Sequence, residues 1–123
     1  MMFTSGVLVD ELAQPCRVHR GYADLDQTGH KVLVAAVPGK CIRIIAGTFI
    51  SSAELQVYFS SGVNGTKKSG TFYLVANQGF NLNQDTDGHL QSNKGESLNL
   101  YLGSSANIGC VFRYILTNCE DPA

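Results

Sequence analysis

Tryptophan is absent from this chain of 123 residues, and proline (3), histidine (3) and methionine (2) are scarce. Charge is thin as well: Asp, Glu, Lys and Arg make up 15% of the residues, against roughly 25% in ordinary soluble domains. Nine basic residues are scattered against ten acidic ones for a net charge of −1. That leaves no basic stripe of the kind nucleic acid requires. The single basic doublet, Lys67-Lys68, sits among Gly and Ser and reads as a solvated loop tip. No apolar run approaches the roughly 18 residues of a membrane span. The first six residues lack both the basic segment and the apolar core of a secretory signal. The expectation is therefore a chain made and folded in a cytoplasm. In that compartment Cys16, Cys41, Cys110 and Cys119 are expected to be free, mostly buried thiols. Ser, Thr, Asn, Gln and Gly take the place of the missing charge. A neutral polar surface repels neighbours weakly and suits a protein packed among other proteins.

What is present is period-two alternation. Leu55, Val57 and Phe59 alternate with Glu54, Gln56, Tyr58 and Ser60, and Leu98, Leu100 and Leu102 alternate with Ser97, Asn99 and Tyr101. Successive side chains of a strand point to opposite faces, so each run has one apolar and one polar face. Strand-like runs recur over residues 40–117, cut by turn signals such as Pro38-Gly39 and Asn64-Gly65. The pattern predicts an all-β fold, an antiparallel β-sandwich or jelly roll, over residues 31–123. Residues 1–30 read as an irregular N-terminal arm. Residues 32–37 read as a strand covered on both faces, Gly47 as a bulge or bend, and residues 80–95 as an irregular crossing loop anchored by Phe80, Leu82 and Leu90. The expected core is Ile42, Ile44, Leu55, Val57, Phe59, Leu98, Leu100, Leu102, Phe112 and Tyr114.

The search for chemistry returns broken motifs. Asn83-x-Asp85-x-Asp87-Gly88 opens like an EF-hand loop, but its twelfth position is Lys94 where a bidentate Glu is needed. Asp24-x-Asp26-x-Thr28-Gly29 fails in the same way at Ala35. Cys16-x-x-His19 has zinc-like spacing without a second pair. Pro38-Gly39-Lys40 lacks the upstream glycine of a phosphate-cradling loop, and no nucleophile elbow is present. No catalytic residue, cofactor or metal is expected.

Three stretches occur in a distinctive order. Gly39-Lys40-Cys41-Ile42-Arg43-Ile44 is followed by Gly70-Thr71-Phe72-Tyr73-Leu74-Val75-Ala76-Asn77-Gln78-Gly79-Phe80, then by Gly95-Glu96-Ser97-Leu98-Asn99-Leu100-Tyr101-Leu102 leading to Phe112-Arg113-Tyr114-Ile115. This order resembles a group of small β-sandwich structural proteins of tailed bacteriophages over about residues 31–117. The resemblance implies a virion structural protein and carries over no binding residues.

The first reading is a capsid decoration (cement) protein, homo-oligomeric, binding the major capsid protein or other virion proteins outside the assembled shell. Its expected interface has two parts. One is Val7, Leu8 and Val9 in the arm; the other is the second face of the last strand, with Val111, Arg113 and Ile115. The alternative is a glycan-binding or structural module of a tail, neck or fibre. For a glycan site, Tyr58 and Tyr101 lie on the polar faces of their strands, and Asp85 and Asp87 lie in a loop. A small enzyme is the third reading.

Overall fold

The structure is a computed structural model describing residues 2–4, 7–9, 17–85 and 88–118, with side chains left aside at 2–4 and 7–9. Among the described residues there are twelve strands and no helix. They are β1 (Met2–Thr4), β2 (Val7–Val9), β3 (Val18–Leu25), β4 (Gly29–Val34), β5 (Cys41–Ser51) and β6 (Leu55–Ser61). The others are β7 (Thr66–Lys67), β8 (Phe72–Leu74), β9 (Gln78–Leu82), β10 (Leu90–Gln91), β11 (Leu98–Leu102) and β12 (Ile108–Thr117). β1 and β2 pair with each other as a separate hairpin.

The remaining strands form two antiparallel sheets. Sheet 1 runs β3-β12-β5, with β9 and β10 side by side along the far edge of β5. Sheet 2 runs β4-β11-β6, with β7 and β8 along the far edge of β6. The chain alternates between sheets from β3 to β6, returns by β8 to β9, and finishes with β11 in sheet 2 and β12 in sheet 1. That is the interleaved double Greek key of a jelly roll.

The interior between the sheets is apolar and holds the expected core. Ile42, Ile44, Leu55, Val57, Phe59, Leu98, Leu100, Leu102 and Phe112 are all buried there, and half-buried Tyr114 packs against them. Phe49 lies at its centre, 4.8 Å from the Phe80 ring, 5.4 Å from Phe59 and 6.3 Å from Phe112. Phe80 therefore does anchor its segment, but that segment is not an irregular loop: β9 and β10 lie within it.

Three other expectations need correction. The irregular arm over residues 1–30 does not extend to residue 30, because β3 pairs with β12 along its whole length from Val18 to Leu25 and β4 begins at Gly29. The inward positions of β3 are His19, Gly21, Ala23 and Leu25, a weakly apolar set that hides the strand's alternation. Gly21 is there because the Phe112 ring fills the space: a Cβ would come within 2.4 Å of it. Residues 32–37 are not a doubly covered strand, since β4 ends at Val34 and Val32 is 57% exposed. The break in β5 falls at Ile45 rather than Gly47, where Arg113 pairs with Ala46 and Tyr114 with Ile44. This bulge switches the parity of β5, so Ile42 and Ile44 point inward before it and Phe49 after it.

Candidate contact surface

With both inner faces spent on the core, function falls to the outer faces, and the two differ. On sheet 2, His30, Tyr101 and Tyr58 occupy one row across β4, β11 and β6. Their rings stack in sequence, His30 to Tyr101 at 4.8 Å and Tyr101 to Tyr58 at 4.6 Å, with Lys67 Nζ 4.8 Å from the centre of the Tyr58 ring. Ser60 Oγ and His30 Nδ1 are hydrogen-bonded at 2.8 Å. The loop after β6 roofs this face: a Cβ on Gly65, which has φ +64°, would meet the His30 ring at 2.6 Å. Beneath it Ser60 and Asn99 are buried, and Asn99 Nδ2 donates to the Gly62 carbonyl at 2.9 Å. The two tyrosines expected as sugar platforms have their ring faces pressed on each other. They form a cross-strand ladder.

Sheet 1 is covered at one end and open at the other. Below the bulge, Cys41, Arg43 and Ile45 of β5 and Ile115 and Thr117 of β12 are all buried, although 115 and 117 point away from the sandwich interior. Ile115 is 0% exposed in the single chain, so it is internal packing and not part of an open interface. Above the bulge the face is open. Tyr22 is 85% exposed, Val111 61% and Ile50 51%. Tyr22, Val111 and Thr48 are direct cross-strand neighbours. Two shallow hollows flank Val111, one reaching Tyr22, Asp24 and Ile50, the other Ala46, Asn81 and Arg113. Charge lies along the rim. Half-buried Arg113 stands directly opposite Arg20, with Asp24 beside Gly109 four residues along β3. The structure thus keeps Val111 and Arg113 on an open surface and adds Tyr22 and Ile50. The period-two spacing Val18, Arg20, Tyr22, Asp24 was the available signal for Tyr22. The side chains of Val7, Leu8 and Val9 lie outside the described residues.

The thiol behind this surface is not a ready nucleophile. Cys110 is free and buried behind it, and burial, aided by the negative charge of Asp24, pushes its thiol up to about 12. Such a thiol carries almost no thiolate at neutral pH, and the thiolate is the nucleophile. Among the described residues no group of three or more His, Cys, Asp or Glu could hold a metal ion. His19, from the zinc-like motif, stacks on Tyr114 at 5.1 Å, and its partner Cys16 lies outside the described residues. In the calcium-like loop the Asp85 amide donates to the Ile45 carbonyl and the Gly88 amide to the Asp85 carbonyl, while Asp87 lies outside the described residues.

The cysteine expectation divides. Cys110 is free as expected, but Cys41 is disulfide-bonded. Its partner is not Cys110 and so is not among the described residues. Disulfides persist in oxidising surroundings, virion surfaces included, and are rare in a reducing cytoplasm.

No protein-family model and no curated protein matches the chain. Among solved structures it is similar to a chain from Bacillus endospore appendages, described as forming a novel family of disulfide-linked pili. The two share 11% identity over 85% of this chain and 89% of that one, with a TM-score of 0.49. A likeness at this level says nothing about function.

Proposed function

We propose that this protein is a non-enzymatic virion structural protein, a jelly-roll module that decorates an assembled phage head and ties neighbouring subunits together. The observation that carries the reading is the open face of sheet 1. Its centre is Tyr22, Ile50 and Val111, and its rim is charged or neutral polar. An apolar aromatic centre within a polar rim is the anatomy of a protein interface. The resemblance of residues 31–117 to tailed-phage structural proteins supplies the particle, and the disulfide at Cys41 suits a surface outside the reducing cytoplasm. The glycan-binding alternative is weakened because Tyr58 and Tyr101 stack on each other.

The test is reconstitution on assembled shells of the encoding phage prepared without this protein. Saturable binding, together with a rise in the temperature at which the shells open, is the expected result. Val111→Asp should abolish it while leaving the melting curve of the free protein in place. Shells that take up no protein at any concentration would defeat the decoration reading, and a glycan array would then be the next measurement.

A further inference from the structure

We infer that the open face of sheet 1 is completed by the same face of a second copy, with the β3 strands antiparallel across a twofold axis and Arg20 of each copy paired with the partner's Asp24. This rests on the contact reading above and deepens it: a second copy occupies the face, and the dimer so formed is the unit that binds shells. Three charges border this face: Arg20, Arg113 and Asp24. Arg20 and Arg113 are direct cross-strand neighbours, and like charges so placed repel. Asp24 lies four residues along β3 from Arg20, about 13 Å away by strand geometry. No ion pair engages any of the three within the described residues.

The occupant must bring an acid to the arginines and a base to Asp24. The ring row of sheet 2, His30, Tyr101, Tyr58 and Lys67, does not qualify, because it carries no carboxylate. A second copy of the sheet 1 face does. Let a twofold axis lie in the interface plane along the row Tyr22, Val111, Thr48. Rotation turns every strand end for end and leaves the row in place. Tyr22 then meets Tyr22, Val111 meets Val111, and Arg20 meets Asp24 twice by symmetry. On β12 the bulky Arg113 faces the bare Gly109, where a Cβ would already be 3.6 Å from Asp24 Oδ1. Arg113 therefore reaches the same carboxylate from the other side. On β5, Ile50 faces the small Ala46 of the other copy. The hollow at Asp24, Gly109 and Ile50 comes to lie over the hollow at Ala46 and Arg113. An isologous contact must be self-complementary in this sense, and face-to-face sheets pack about 10 Å apart.

The experiment is sedimentation equilibrium of the full chain across a concentration series. Dimers are expected, and Tyr22→Asp should give monomers with an unchanged melting temperature. Arg20→Asp and Asp24→Arg should each weaken dimerisation at least about tenfold, since close interfacial charge pairs couple by 1.5 kcal/mol or more. The double variant should return to within a few-fold of the parent. Tyr22→Cys, at the axis, should give a covalent dimer with a short bis-maleimide, whose spacer bridges the roughly 10 Å between facing sheets that a direct disulfide cannot, whereas Val32→Cys on sheet 2 and the parent should not. A double variant no better than either single one overturns the inference, as does failure of Tyr22→Cys to cross-link. A monomer that still binds shells defeats this arrangement and leaves the decoration reading standing. A dimer behaving as described that ignores shells does the reverse.

Discussion

The two outer faces of this jelly roll come from the same kind of strand and end in opposite conditions. On sheet 2, exposed His30 and half-buried Tyr101 and Tyr58 stack on one another beside the loop at Gly65 and are topped by Lys67. On sheet 1, Tyr22 projects beside Val111 and Ile50, and among the described residues it has no ring to stack on and Arg20, Arg113 and Asp24 have no ion partner. Residue type does not account for the difference, since each face has tyrosine, valine and basic residues. Cover accounts for it. The chain between β6 and β8 passes over the His30 end of sheet 2 while leaving Val32 and Tyr73 exposed, whereas sheet 1 is covered only below the bulge in β5. An outward-pointing side chain is therefore exposed or buried according to which loop crosses it, and β12 shows both outcomes along one face.

The largest expected effect breaks that face in two. Ile115→Asp places an unpaired charge in a fully buried site, which costs several kcal/mol. Val111→Asp, four residues away on the same face and 61% exposed, should change stability by less than about 0.5 kcal/mol. Urea melts of both variants measure the gap. Equal midpoints would mean that the covered and open ends are not distinct. Leu100→Ala comes next. Leu100 lies fully buried at the centre of β11, whose other side carries the Tyr101 ladder, and its loss should cost about 2–5 kcal/mol through lost burial and a residual cavity.

A smaller effect compares the two sets of rings. Tyr101→Ala removes the middle member of the sheet 2 row and both of its ring contacts, with an expected cost of about 1–3 kcal/mol. Tyr22→Ala on the open face should cost less than about 0.5 kcal/mol in the monomer while abolishing self-association. If the two tyrosines prove equally important to the melting curve, Tyr22 has a partner within the chain and the open face is not open.

Much of this was legible from the residues. Leu98, Leu100 and Leu102 alternate cleanly because one side of β11 faces the core, and all three are buried as that pattern requires. The parity of β12 was legible too, with Cys110 and Phe112 inward and Val111 outward. What alternation could not convey was cover, because burial of Ile115 depends on chain that is distant or unpatterned in sequence. Nor could it reveal β3, whose inward side is hollowed to admit Phe112 and so lacks the apolar residues by which a strand is recognised. The open face followed β3 into obscurity, since Tyr22, Arg20 and Asp24 all belong to that strand. The disulfide at Cys41 was hidden for a different reason: spacing alone does not choose partners, and the compartment argument pointed the other way.

The smallest effect links the open face to the interior behind it. Cys110 has its thiol raised from 9.0 to about 12, chiefly by burial and secondly by Asp24. Below pH 9 the thiol is protonated in both the folded and the unfolded chain, so it adds no pH dependence. Between 9 and 12 the unfolded chain sheds the proton and the folded chain keeps it, so stability falls as pH rises, by at most about 1.4 kcal/mol per unit. Lysines and tyrosines titrate in the same window, so the informative quantity is the difference between the parent and Cys110→Ala. That difference should be flat below pH 9 and should then shift in favour of the variant as alkali is added. Asp24→Asn removes the secondary cause, so its alkaline fall should be slightly shallower at the top of the window while the fall near pH 9 is unchanged. A parent and a Cys110→Ala variant with parallel stability curves up to pH 11 would show that the thiol ionises freely. Cys110 would then be reached by water through the hollow between Tyr22 and Val111, and the open face would be deeper than its contacts make it.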